Sequence, residues 1–342
     1  MKSFTAWSET GKSRARQVRS YLLRRTPLGG PTGKLDTLIL HIGSPKTATS
    51  TFQDWLGENR WTLRRDGVDL RIPSDIRGKS YIASAMEYIN GKEQDIDTSG
   101  FSRLFESVST RNLLVSEESL TNTFIPGPKR NRNGFDSIDR LIKFIEALET
   151  PNKKILLTVR RQDKFLASSY AHRLQRSGET AAFSGWTRAK VDFRKLSWLR
   201  VVDKLESAFG EENVSVVPFE MIQTTNFRAY YERSLSSLNI STQNHTEPTD
   251  PIKNPSLTEV SEEIARIINR LPTKDVAQKS KRTGVIERIN NFTYAIGDRT
   301  SRPDNGEVAQ ACQAYYQSEN IELAKRKFPD LKTSFTFEKL SR

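Results

Sequence analysis

The sequence predicts an α/β fold, a single domain with a central parallel sheet flanked by helices. Three observations predict it. Short runs of strand length recur at residues 37–42, 112–116, 153–159 and 213–219. Stretches with apolar residues three and four apart, the period of an amphipathic helix, stand between and after them. The strand-like runs are nearly continuous in apolar residues rather than alternating, as a sheet buried on both faces requires.

Each element has its own reason. Residues 1–34 carry eight Lys or Arg and one Glu, so they read as a basic N-terminal extension. Within it "SRARQVRSYLLRR" puts Val18, Tyr21 and Leu22 on one side of a helix suited to an anionic membrane surface. "TPLGGPTGK" then reads as a joint, and the domain is expected over residues 35–342. "TLILHI" is the first strand, and a helix over 49–64 follows, with Phe52, Trp55 and Leu56 at i, i+3 and i+4. Further helices are expected at 137–148, 162–176, 196–209 and 256–270. Ser256 with Glu259 three residues on reads as a capping box for the last of these. Residues 71–110, 121–136 and 178–195 show no regular period and suit the acceptor side of a cleft.

Composition narrows the classes. The chain has 342 residues and a formal net charge of +13, but more than half of that charge lies in the first 34 residues. The remainder is mild for a domain whose ligand is a nucleic acid, so none is expected. No run of 18 apolar residues suggests a membrane span. The basic N-terminus lacks the apolar stretch of a secretory signal. Cys312 is the only cysteine, which leaves no intramolecular disulfide and no cysteine-rich metal site. A reducing, cytoplasmic location is expected, with peripheral contact at the inner membrane face through residues 1–34.

The segment "TLILHIGSPKTATSTFQDWL", residues 37–56, carries the strongest chemical signal. A strand delivers a Gly/Ser/Pro/Lys/Thr turn to a helix N-terminus, where amides are unpaired and the helix dipole is positive. Lys46 adds a full charge, and Thr47, Thr49, Ser50 and Thr51 add hydroxyls. The result is a cradle for phosphate or sulfate. It is not the nucleotide loop in which Lys follows Gly and precedes Ser/Thr, because here Lys comes first and the hydroxyls follow.

A second motif is "LLTVRRQDKFLASSYAH", residues 156–172. Arg160 ends a strand and Ser168 lies eight residues on, two turns into the next helix, so both can reach one phosphate. Arg161 and Ser169 share that spacing, but "TVR" closes the strand at Arg160. With both motifs in hand, the chain resembles the sulfotransferases that use 3′-phosphoadenosine-5′-phosphosulfate (PAPS). Their loop matches "PKTATS", Pro45 to Ser50, and their strand-end Arg with Ser eight residues later matches Arg160 and Ser168. "VVDKLESAFGEENVSVVPFEMI" and "NPSLTEVSEEIARIINR" look like further segments of bacterial members. The likeness covers about residues 35–270.

The resemblance implies a P-loop-like sulfotransferase fold, PAPS as donor and 3′-phosphoadenosine-5′-phosphate (PAP) as product. It implies that Ser44, Pro45, Lys46, Thr47, Ala48, Thr49, Ser50 and Thr51 hold the 5′-phosphosulfate, and that Arg160 and Ser168 hold the 3′-phosphate. Lys46 would neutralise the bridging oxygen of the leaving group. Many members carry Gly where Ala48 stands, and a helical or bridge conformation is expected there. The base is expected to be Glu118, with Glu117 second. Successive strand-end residues point opposite ways, so one of the two is expected to face the cleft. No metal is required. His41 reads as structural, His172 as a packing or surface residue that could also line the acceptor cleft, Trp198 and Phe219 as core, and Trp186 as a residue of the acceptor cleft. "QKSKRTG", residues 278–284, faintly resembles a basic loop that closes over the 3′-phosphate. The acceptor is expected to be a carbohydrate, a lipid headgroup or a small metabolite. Competing readings are a nucleotide-dependent kinase or NTPase, and a basic protein that binds nucleic acid or membrane.

Overall fold

The structure, a computed structural model, describes residues 35–77, 80–106, 108–126, 134–247, 256–273, 275–301, 303 and 306–337. The expected basic extension, residues 1–34, lies outside the described residues. Five parallel strands form one sheet: β1 (Thr37–His41), β2 (Val68–Arg71), β3 (Asn112–Ser116), β4 (Asn152–Val159) and β5 (Val214–Pro218). Their order is β2-β3-β1-β4-β5. β1 pairs with β3 from Thr37↔Asn112 to His41↔Ser116, and with β4 from Thr37↔Asn152 to His41↔Leu156.

The longer helices are α1 (Thr49–Glu58), α2 (Ala83–Ile89), α3 (Ile138–Glu146), α4 (Gln162–His172), α5 (Phe183–Lys190), α6 (Trp198–Phe209), α7 (Phe227–Ser236), α8 (Glu259–Asn269), α9 (Val276–Ala295) and α10 (Glu307–Lys327). The central strands are apolar on both faces because helices cover both; Leu38, Leu113, Ile155 and Leu156 are fully buried.

Strand order fixes where a ligand can sit. The chain leaves β1 for β2 on one side of the sheet, and leaves β4 for β5 on the other. Right-handed crossovers in opposite directions lie on opposite faces. A crevice therefore opens between the carboxyl ends of β1 and β4. The Lys46 loop follows β1 and Arg160 follows β4.

The structure corrects several expectations. β2 falls where no strand was expected: it is only four residues long, and buried Asp69 interrupts its apolar pattern. Asp69 Oδ2 is instead used, accepting from the amides of Ser109 (2.6 Å) and Thr110 (3.2 Å). The helix expected over 49–64 breaks at Asn59. That side chain donates back to the Trp55 carbonyl (3.0 Å) and accepts from the Thr246 amide (2.8 Å). The cap of α8 is Thr258 with Ser261, not Ser256 with Glu259. Thr258 also meets Thr293 Oγ1 (2.7 Å), a tertiary bond that selects the start. The regular part of 162–176 ends at His172 and continues as one π-helical turn, Arg173–Ser177, closed by Gly178 at φ 73°. Residues 278–284 are not a loop but lie inside α9.

Candidate active site

The loop after β1 is held from beneath. The Ser44 amide donates to the Thr158 carbonyl (3.2 Å). Thr47 Oγ1 donates to the Ser44 carbonyl (2.5 Å) and lies 2.6 Å from Thr158 Oγ1. Thr47 therefore spends its hydroxyl inside the loop, which corrects its place among the hydroxyl donors; its backbone stays available to the cradle. Gly43 is needed for close approach, because a Cβ there would lie 2.6 Å from Thr49 Cγ2 and 2.7 Å from His41 Nε2.

Backbone sign alternates at the turn. Lys46 has φ 72°, Thr47 is not in the left-handed region, and Ala48 has φ 60°. Residues of alternating hand turn successive N–H groups into one concavity, an anion nest. The Ala48 expectation is thus overturned: the residue is left-handed, with ψ 21°, at the N-cap of α1. The nest dictates this conformation, and an L-residue holds it at a cost of about 1–2 kcal/mol. The helical ladder begins with Phe52 N–H to the Ala48 carbonyl (3.1 Å). The amides of Thr49, Ser50 and Thr51 precede it, and Ala48 has no polar side chain with which to cap them. Pro45 and Thr49 are buried in the loop wall, Thr51 is nearly so, and Ser50 is exposed at the rim.

Charged groups gather over this nest. Burial lowers the Lys46 amine to about 8; Arg176 and Arg160 push the same way, and Glu118 opposes them. Arg160 Nη1 donates to the Lys46 carbonyl (2.9 Å), and its guanidinium lies 4.2 Å over the Phe219 ring. Its Nε is buried and has no hydrogen-bond partner among the described residues. Phe219 is therefore a platform under Arg160, not core. Arg161 turns away, pairing with Asp163 (2.8 Å) and donating to the Thr336 carbonyl (3.3 Å). Ser169 is fully buried, while Ser168 is half-buried. Ser168 lies one turn before His172, on the same side of α4. His172 feels Lys46: burial first, then the charges of Lys46, Arg176 and Arg173, lower it to about 3, so it is neutral.

Both strand-end carboxylates of β3 converge on one guanidinium, against the expectation that they diverge. Arg77 Nη2 donates to Glu117 Oε1 (2.6 Å) and to Glu118 Oε1 (2.9 Å). The extended strand ends at Ser116 and a 3₁₀ turn begins at Glu118, so the alternation of faces stops there. Glu117 is fully buried; it caps the turn by accepting from the Ser119 amide (3.0 Å), and it also accepts from the Ser119 hydroxyl. Glu118 is more open and accepts from Gln53 Nε2 on α1. Burial pushes the Glu118 carboxyl up, but Gln53 and Arg77 outweigh it and hold it below the usual range.

Sequence reasoning missed Gln53, Arg77 and Thr158. Polar Thr158 in a buried apolar strand, and Gln53 on the buried side of α1, were visible signals. Arg77 had none, because 40 residues and a strand separate it from Glu117. His41 is fully buried, 2.7 Å from Ser116 Oγ, and burial lowers it to about 4. Trp186, expected at the cleft, is fully buried against Tyr170 and Phe183; Trp198 is buried as expected. Among the described residues no group of three or more His, Cys, Asp or Glu is arranged to hold a metal, and no helix is long and apolar enough to cross a membrane.

No family model and no curated protein matches the chain. Solved structures similar in shape include the following three. A sulfotransferase from Alicyclobacillus acidocaldarius aligns over 76% of this chain and 97% of its own, at 15% identity and TM-score 0.40. The sulfotransferase domain from the curacin biosynthetic pathway aligns over 79% and 99%, at 13% identity and TM-score 0.34. Retinol dehydratase, in complex with androsterone and inactive cofactor PAP, aligns over 86% and 81%, at 11% identity and TM-score 0.34. At such identities and scores the chemistry has to rest on this chain's own residues.

Proposed function

We propose that the chain is a PAPS-dependent sulfotransferase. One observation carries this reading: the anion nest around Lys46 is tied to Arg160 across the β1–β4 crevice and feels the Glu118 carboxylate from β3. Two cationic groups on two strand ends suit a ligand with anionic groups at both ends. The amides from Thr47 to Ser50, with the hydroxyls of Thr49, Ser50 and Thr51, receive the 5′-phosphosulfate, framed by Ser44, Pro45 and Ala48. The buried Nε of Arg160 and the Ser168 hydroxyl receive the 3′-phosphate.

The chemistry is an in-line displacement. The acceptor oxygen or nitrogen bonds to sulfur as the sulfur–oxygen bond to the 5′-phosphate breaks, and PAP leaves with the electron pair. Lys46 neutralises charge growing on that bridging oxygen in a desolvated setting, where such charge counts most. Glu118, kept ionised by Arg77 and Gln53, takes the acceptor proton. Glu117 has its oxygens engaged by Arg77 and Ser119, so the proton step falls to Glu118.

The donor is a small nucleotide, and the acceptor is a hydroxyl or amine of a carbohydrate, a lipid headgroup or a small metabolite. The protein acts in the cytoplasm, with residues 1–34 touching an anionic membrane face. Calorimetry tests the donor: PAP should bind in EDTA, and ATP only weakly. Tight ATP binding that requires Mg²⁺ would instead support a kinase or NTPase. Labelled PAPS incubated with extract of the source cell should label one acceptor class.

A further inference from the structure

The hairpin of α8 and α9 has its polarity reversed. Between the two helices the contacts are small and polar: Ser261 Oγ donates to Asn290 Oδ1 (2.7 Å), and Thr258 Oγ1 meets Thr293 Oγ1 (2.7 Å). Ser261, Ala265, Ile286, Asn290 and Thr293 are buried. The outward face is the apolar one. On α8 and just beyond it, Val260, Ile264, Ile267 and Leu271 follow a 4-3-4 spacing, and three of them expose 47%, 60% and 62% (Val260, Ile267, Leu271). On α9 and its C-cap, Val285, Ile289, Phe292 and Ile296 repeat that spacing, and Phe292 and Ile296 each expose 65%.

A 4-3-4 spacing is the seam of a helix that packs on another helix. Two such seams lie side by side and point away from the sheet. The exposed fractions amount to an apolar patch on the order of 600 Å², the upper end of what a monomer carries and close to one side of a standard interface.

Charge selects the occupant. α8 carries three Glu and one Arg, and α9 carries four Lys or Arg and one Glu. A basic segment such as residues 1–34 would meet the cations of α9. An anionic bilayer would meet Glu259 and Glu263 of α8. A second α8–α9 hairpin, turned so that each α8 lies on the other's α9, pairs opposite signs at both contacts. Because Ser261 stands beside Asn290, Glu263 is near the level of Arg288, and these two flank the seams.

We propose that the outer face of the α8–α9 hairpin is a homodimer interface, in which two hairpins close into a four-helix bundle with α8 of one copy on α9 of the other. The interface adjoins the site: on the inner side of α9, Glu287 pairs with Arg176 (2.6 Å) and Thr283 donates to the Gln175 carbonyl (3.1 Å). Dimerisation would brace the π-helical turn whose Arg176 charge reaches Lys46.

Sedimentation velocity on the full chain tests this over a concentration range. The wild type should be a dimer. Ile267→Glu with Phe292→Glu should sediment as a monomer with an unchanged far-ultraviolet circular dichroism spectrum, since both side chains are exposed in the single chain. Glu263→Lys should weaken the dimer, and adding Arg288→Glu should restore it. A monomeric wild type, or a dimer that survives the double Glu variant, overturns the proposal. So does failure of the charge reversal to restore the dimer. Binding of the wild type to phosphatidylserine vesicles that the double Glu variant loses would assign the face to a membrane. A dimer that forms only after residues 1–34 are deleted would assign it to that segment. Either result also overturns the proposal. None of these outcomes depends on whether PAP binds.

Discussion

Lys46 is the most informative group to perturb. An ordinary lysine stays charged to pH 10, but burial brings this amine to about 8. A polyanion binds the cationic form, so affinity should be full below the free-state value and lost above it. From pH 7 to pH 9 the charged fraction falls from about 90% to about 10% when the group titrates at 8. The association constant for PAP should therefore fall roughly tenfold over that interval. Titration calorimetry reads this without any acceptor, and PAP's own 5′-phosphate is already ionised there. Lys46→Arg keeps its charge at every accessible pH, so its affinity should be lower but flat from pH 7 to 9. Lys46→Ala should remove the pH dependence and cost on the order of a hundred- to a thousandfold in kcat once an acceptor is known. A flat wild-type profile, or the same fall persisting in Lys46→Arg, would refute the assignment.

Three further variants have defined outcomes. Arg160→Ala should weaken PAP binding about tenfold or more, the worth of a charged hydrogen bond, with acceptor KM unmoved; calorimetry and initial rates separate the two. Arg77→Gln should destabilise the fold by on the order of 3 kcal/mol in denaturant unfolding, because fully buried Glu117 loses its charge partner. The same variant should raise the pH at which Glu118 titrates, since Arg77 is one of the groups holding it down; the acid limb of kcat/KM reports this. Ala48→Gly should stabilise the apo protein by about 0.5–1 kcal/mol, the relief of a left-handed L-residue less the entropy of glycine. A lower melting temperature for that variant would show that the turn is not strained.

The sequence by itself determined the fold class and four of the five strands, and it marked the turn after β1 as the candidate site. Short, largely apolar runs at β1, β3, β4 and β5 read as strands covered on both faces, and their alternation with amphipathic helices implies parallel pairing. A Lys-first turn between strand and helix marks an anion cradle through local chemistry alone. What depended on distant contacts was not legible. The short strand β2 exists because β3 offers it an edge and Asp69 finds amides at Ser109 and Thr110. The start of α8 was chosen by Thr293, 35 residues away. Which carboxylate of the Glu117–Glu118 pair is open was decided by Arg77, from a segment with no periodic signal. The left-handed backbone at Lys46 and Ala48, on either side of a Thr47 held by Ser44 and Thr158, goes against the preference of L-residues, so no local propensity encodes it. Local pattern fixes which residues form an element and which face is apolar. Only the closed tertiary structure decides which polar groups are buried and which find partners; burial sets the charge state of Lys46, and the partners Gln53 and Arg77 set that of Glu118.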